Sequence, residues 1–195
     1  MTRQSVRTFY FITHPDVVID PSVPITEWPL SPRGRERMAR CCGRPWVTGL
    51  AALYASAERK ALDGAEILSA ATGLPVRVRP DLGENDRSAT GYLPPAEFEA
   101  TADRFFAEPD TVVRGWARAV DEQRRIVAAV EAIVGETVGD FAIVSHGAVG
   151  ALLLAHLLGQ PISRRLDQPG AGGGNVFAFD AATRAIIHGW QPVDG

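Results

Sequence analysis

Two apolar runs end on a histidine, and they constrain the fold of this chain more than any other feature. The first is Thr8-Phe9-Tyr10-Phe11-Ile12-Thr13, followed by His14-Pro15-Asp16. Aromatic and β-branched residues, stopped by a proline that cannot donate to a ladder, predict a strand buried on both faces. The second run, Asp140-Phe141-Ala142-Ile143-Val144, leads through Ser145-His146-Gly147 into a long apolar helix. Strands that are apolar on both faces need helices above and below them. The expected fold is therefore α/β: a three-layer sandwich with a mostly parallel central sheet and helices on both faces. Ligands of such sheets bind beyond the carboxyl ends of the strands, so both imidazoles are expected on one rim.

The remaining segments fill in this plan. Ser31 and Pro32 predict a helix start, running toward Cys42, after a loop over Val17–Leu30 that holds Pro21, Pro24 and Pro29. Leu50–Ala55 reads as a second central strand, with Ser56 as the cap of a helix to about Thr72 and Gly73 as its C′ residue. Val76 and Val78 mark a shorter strand. Past Glu84 the pattern is broken by Gly91, Pro94, Pro95 and Pro109. Helices are predicted there from Pro95 to Phe105 or Phe106 and from about Val112 to Val134, a helical insertion at about 85–135 that covers one side of the rim. A helix over Gly147–Leu158 is closed by Gly159-Gln160-Pro161, and Asn175–Asp180 with Arg184–His188 form a terminal hairpin. With no repeat and no long linker, residues 1–195 are expected to be a single domain.

Charge and composition exclude several function classes. A formal net charge of -3 and a pI near 5.8 give no general attraction to polyanions, so neither nucleic acid nor an anionic membrane is expected as a partner. The longest apolar run, Ala148–Leu158, is interrupted by His156 and falls short of the roughly 20 residues a bilayer requires. Met1–Arg7 is polar and unlike a signal segment, and a cytoplasmic location is expected. Cys41 and Cys42 are adjacent, bridge only with strained geometry, and read as reduced thiols in a helix. Neither a CxxC pair nor an HExxH motif occurs, so no metal or other cofactor is expected.

In chain order, five segments resemble the histidine phosphatase superfamily, the branch that includes phosphoglycerate mutases and small phosphohistidine phosphatases. Thr13-His14-Pro15-Asp16 stands where that family has Arg-His-Gly-Glu, and Leu30-Ser31-Pro32-Arg33-Gly34-Arg35-Glu36-Arg37 loosely matches Leu-Thr-x-x-Gly-x-x-Gln. Tyr54-Ala55-Ser56-Ala57-Glu58-Arg59-Lys60-Ala61 is similar to the strand-Ser-x-x-x-Arg-Ala motif, with Arg59 one place nearer the serine than in the common spacing. Leu82-Gly83-Glu84 matches Leu-x-Glu, and Val144-Ser145-His146-Gly147 matches Val-x-His-Gly.

The resemblance implies a phosphoglycerate mutase-like fold and a metal-free phosphatase that hydrolyses a phosphomonoester or phosphohistidine, on a small substrate or a phosphoprotein, through a phosphohistidine intermediate on His14. His14 would be the nucleophile, Arg59 a phosphoryl ligand, His146 a cation stabilising the transferring group, and Glu84 the general acid. Thr13, Ser56, Lys60 and Gly147 would line the phosphate or substrate subsite. Thr13 lacks the charge of the family's arginine, a loss of about 2 to 4 kcal/mol in a desolvated site, or roughly 30- to 1000-fold in rate. Lys60 is the first candidate to replace that charge, ahead of Arg33, Arg35 and Arg87. Asp20 occupies the place where mutases carry a phosphate-binding asparagine. The competing expectation is a phosphate-binding or regulatory module of the same fold, its turnover weakened by Thr13. The Gly170–Gly174 run precedes a strand, which excludes a dinucleotide fingerprint and leaves a flexible loop at the rim. His156, His188 and the Arg164-Arg165 pair read as structural or solvated, and the oligomeric state is not legible.

Overall fold

The structure, a computed structural model, describes residues 7–195. They form a six-stranded sheet in the order β3-β2-β4-β1-β5-β6, built from β1 (Thr8–Thr13), β2 (Leu50–Ala55), β3 (Val76–Val78), β4 (Asp140–Ser145), β5 (Asn175–Asp180) and β6 (Ile186–Pro192). The pairs β3/β2, β2/β4 and β4/β1 are parallel, whereas β5 and β6 add an antiparallel edge. Five helices flank the sheet: α1 (Pro32–Cys41), α2 (Arg59–Thr72), α3 (Pro95–Ala107), α4 (Ala119–Glu136) and α5 (Gly147–Leu157). The fold is thus the α/β sandwich anticipated from the apolar runs.

Strand alternation divides the core in two. Phe9, Phe11, Phe141 and Ile143 point to the side of α3, α4 and α5, where Phe177, Phe179, Leu152 and Ile133 complete a buried cluster. Ile12, Leu53, Ala142 and Val144 point to the other side and meet Met38 and Cys41 of α1 and Ala61, Ala65 and Leu68 of α2. Burying one such aliphatic or aromatic side chain contributes roughly 1.5–3 kcal/mol, which is what holds helices on both faces. Burial also pushes the Cys41 thiol up to about 12, so it is a packing residue. No helix among the described residues is long and apolar enough to cross a membrane.

Three elements start later than the sequence expectation. Helix α2 begins at Arg59, because Glu58 N–H donates to Ser56 Oγ (3.2 Å) and folds residues 56–58 into a turn. Helix α4 begins at Ala119 and not near Val112, because Arg114 (φ 51°) and Gly115 (φ 82°) are left-handed. Strand β6 begins at Ile186, because the Asp180 carboxylate caps Ala182 N (2.8 Å) and Thr183 N (2.7 Å) and lengthens the turn.

Candidate active site

The carboxyl ends of β1 and β4 are neighbours, and each releases a histidine. His14 N–H donates to Ser145 O (3.0 Å) and Gly174 N–H donates to His14 O (3.1 Å), so its backbone is held from both sides. Its ring Nδ1 is 3.0 Å from the carbonyl oxygen of Pro15. A carbonyl only accepts, so the proton sits on Nδ1 and the lone pair of Nε2 is left free. Burial, reinforced by the charge of Lys60 and more weakly of Arg87, pushes the His14 pKa down to about 4 against the Pro15 carbonyl and Glu58. The imidazole is neutral at neutral pH.

His146 is fully buried at the N-cap of α5, its ring centroid 5.2 Å from that of His14 and edge-on to it. Its Nε2 lies 2.8 Å from Ser56 Oγ and 3.4 Å from Glu58 Oε1, while Nδ1 has no partner among the described residues. Burial holds its pKa well below the ordinary value despite the pull of Glu58. The expected imidazolium is therefore disfavoured, because desolvation of this ring outweighs one nearby carboxylate.

Glu84 follows a turn over Pro80–Leu82 and points at the start of α5. Its Oε1 accepts from Asn85 N (3.1 Å) and Val149 N (3.2 Å), its Oε2 from Ala148 N (3.4 Å), and Arg87 Nη2 stands 4.0 Å away. Burial raises its pKa, opposed by Arg87 and assisted by Glu58. A carboxyl in this state can keep a proton for a leaving group.

Of the two adjacent cations on α2, the structure brings Lys60 to this group and leaves Arg59 outside it. Arg59 is half-exposed and its Nη2 pairs with Asp63 Oδ1 at 2.6 Å; Asp63 also holds Arg35 and the Leu30 N–H. Lys60, turned about 100° around the helix, is 2% exposed; its Nζ donates to Ile25 O (2.8 Å) and Glu58 Oε2 (2.5 Å). The family's four-residue spacing from Ser56 falls on Lys60, the side chain that turns inward. Burial alone would raise Glu58, but the Lys60 ammonium and the Glu84 N–H (2.8 Å) hold its carboxyl well below the usual range.

The other expected ligands are distributed unevenly. Thr13 is fully buried and turned away from the imidazoles: its hydroxyl donates to Gln168 Oε1 (2.6 Å) and accepts from Asn175 N (2.9 Å). Ser56 touches His146, as above. Gly147 opens α5, and a Cβ there would meet Gln168 Nε2 at 2.3 Å, so its glycine lets that amide cross close by. Arg87 reaches the site; Arg33 is largely exposed beside Asp16, and Asp20 is exposed with its carboxylate on Ser22. His156 is exposed at the end of α5, and His188 lies on the edge strand β6.

Two cavities meet at Glu84, Asn85 and Arg87. The larger, about 470 Å³, contains His14, Gly147, the glycine loop and an aromatic wall that includes Phe98, Phe105 and Trp116. The smaller, about 400 Å³, is closed by Pro24–Thr26, Glu58 and Ser88.

Several residues that hold this arrangement were not singled out in the sequence. Arg37 donates to Asp16 Oδ2, Gly173 O and Gly174 O, each at 3.0 Å, and to Asp194. The Gly173–Gly174 end of the glycine loop is thereby clamped to α1. Gly173 and Gly174 have positive φ, and a Cβ on Gly173 would meet His14 O at 2.3 Å. Arg125 of α4 donates to Gly83 O and Glu84 O (both 3.0 Å), bracing the acidic residue from behind. The one sequence signal for Arg37 is its place where the family has glutamine; Arg125 has none beyond its helix-face pairing with Glu122.

The whole chain has solved structural relatives. Bacillus stearothermophilus YhfR superposes with a TM-score of 0.77 at 25% identity, covering 93% of this chain and 94% of that one. A mycobacterial glucosyl-3-phosphoglycerate phosphatase in complex with inorganic phosphate gives 0.76 at 22% identity, covering 97% and 99%. These similarities establish the fold, and no curated protein sequence matches the chain. The sequence profile of the histidine phosphatase superfamily (branch 1) matches residues 23–186, a span that contains Lys60, Glu84 and His146 and begins after His14. By that match over most of its length, the chain belongs to the histidine phosphatase superfamily, branch 1.

Proposed function

We propose that the protein is a phosphomonoester hydrolase that works through a phosphohistidine on His14. The observation that carries this reading is the pair of imidazoles 5.2 Å apart, one with its Nδ1 fixed on Pro15 O and its Nε2 free. Nε2 attacks phosphorus in line, the N–P bond forms as the ester P–O bond breaks, and Glu84 gives its proton to the leaving oxygen. Water then attacks the phosphoryl group and returns a proton to Glu84. The N–P bond breaks and inorganic phosphate leaves. Lys60 and Arg87 supply positive charge, and the Ser56 hydroxyl holds the His146 ring edge-on to the reacting group. A dianion seated between the rings favours the protonated form of His146, which its burial otherwise suppresses. The step uses no metal.

The similarity to a phosphatase that binds inorganic phosphate supports this reading at the level of the fold. A second reading, a phosphate-binding module with weak turnover, is favoured by one specific observation. Lys60, the buried cation nearest the site, is already paired with Glu58, and Thr13 faces away. Hydrolysis of an aryl phosphate separates the two. Turnover that falls at least about 10³-fold in His14→Ala supports the enzyme, as expected for loss of a nucleophile. Saturable phosphate binding with no turnover supports the module, and turnover unchanged in His14→Ala removes the assigned nucleophile.

A further inference from the structure

Asn85 is 3% exposed, yet neither its side-chain oxygen nor its side-chain nitrogen has a hydrogen-bond partner among the described residues. It stands in the wall shared by the two cavities, next to Glu84, whose carboxylate accepts its backbone N–H. A buried carboxamide left unpaired at both ends is destabilising, and a fold tolerates it where a ligand completes it. We infer that Asn85 reads the leaving group, and that the substrate is the phosphate ester of an uncharged, polyhydroxylated alcohol of the sugar type. This rests on the phosphoryl-transfer reading only for the placement of the ester oxygen between His14 and Glu84.

The chemistry of the alcohol follows from what the site offers. A carboxamide presents two N–H donors and an accepting oxygen, so its ligand must both accept and donate, as neighbouring hydroxyls do. A second phosphate only accepts, and a hydrocarbon ring does neither. The two cations lining the larger cavity are also committed, Arg87 to the phosphoryl group and Arg164 to acidic partners. Arg164 is held by Glu99 (2.7 Å), Asp103 (3.2 Å) and Asp167 (3.0 Å), while Arg87 lies over the rings of Phe98 and Trp116 and 4.0 Å from Glu84. Glu99 and Asp167 line the same cavity and disfavour a second negative charge. Phe98, Phe105 and Trp116 make up the apolar part of this cavity's wall, as is usual where a small molecule binds.

The test compares ribose 5-phosphate, phenyl phosphate and 3-phosphoglycerate on the full chain and on Asn85→Ala. The full chain is expected to prefer ribose 5-phosphate over 3-phosphoglycerate in kcat/KM. In Asn85→Ala, ribose 5-phosphate should lose about 10- to 100-fold and phenyl phosphate less than about threefold, since only the hydroxylated alcohol uses the amide. Its melting temperature should stay equal or rise, because an unpaired buried group has been removed. Equal losses on both esters with a lower melting temperature would show a structural role and overturn the inference, as would no loss on ribose 5-phosphate. Calorimetric binding of the same esters in a His14→Ala background keeps the two readings apart. Asn85-dependent preference for ribose 5-phosphate there, with no turnover by the unaltered protein, upholds the inference while the hydrolase reading fails. Turnover of phenyl phosphate with no Asn85-dependent preference does the reverse.

Discussion

At the scale of single residues, the balance of charge around the two imidazoles decides what the site can do. Glu84 must hold a proton for an alkoxide and need not for a phenolate, so Glu84→Gln is expected to slow an alkyl phosphate about 10²- to 10³-fold and an aryl phosphate far less. Its raised pKa sets the sign of the pH profile: kcat/KM on an alkyl ester falls as pH rises through that value and the acid is lost, and the fall is absent in Glu84→Gln. Glu58 neutralises Lys60 while accepting the Glu84 N–H, and glutamine can keep the second role without the first. Glu58→Gln should therefore tighten inorganic phosphate binding about tenfold, read as a product-inhibition constant; weaker binding would mean that Lys60 is oriented by the pair and not masked by it. Thr13→Arg, the substitution the sequence suggests for restoring charge, would force a long cation into a fully buried position between Gln168 and Asn175. The histidines and Glu84 were legible because each ends a recognisable strand or turn. Arg59 was placed ahead of Lys60 because it carries the family's residue type, although the family's four-residue spacing from Ser56 falls on Lys60.

At the scale of elements, the rim is assembled by clamps between segments distant in sequence. The clearest is Arg37 on α1, which joins Asp16 after β1, the glycine loop before β5 and Asp194 at the carboxyl end. Arg37→Ala leaves two carboxylates and two carbonyls without this partner, an expected loss of about 3 kcal/mol in urea denaturation. Gly34 on the same helix sits where a Cβ would meet Asp16 O at 2.1 Å, so Gly34→Ala should also destabilise by pushing α1 off the rim. A neutral result for both would remove the clamp from the account. Strands β1, β2, β4 and β5 were readable as uninterrupted apolar runs, and α1 and α5 from their capping residues. The start of α4 was not, because the apolar spacing that includes Trp116 continues across a left-handed break at Arg114 and Gly115. Arg125 was unreadable for another reason: its carbonyl acceptors at Gly83 and Glu84 lie about 40 residues earlier in the chain.

At the scale of the whole molecule, the site weakens the protein in acid. The unfolded chain protonates His14 near 6.5, whereas the folded protein resists until about 4, so stability is lost as pH falls through that window. His146 acts in the same direction. The melting temperature should drop between pH 7 and 4.5, and the drop should be shallower in His14→Gln; an unchanged slope would mean that this imidazole is not desolvated. The two-sided core, the parallel centre and the antiparallel edge all serve to place the ends of β1 and β4 side by side, which is where the phosphoryl group is proposed to be carried. The most direct measurement is an alkaline rapid quench during turnover of an aryl phosphate, followed by peptide mass mapping. One phosphoryl group on the His14 peptide, absent in His14→Ala, is the expected result. A phosphoryl group on any other residue, or turnover with none trapped and undiminished in His14→Ala, would contradict the account.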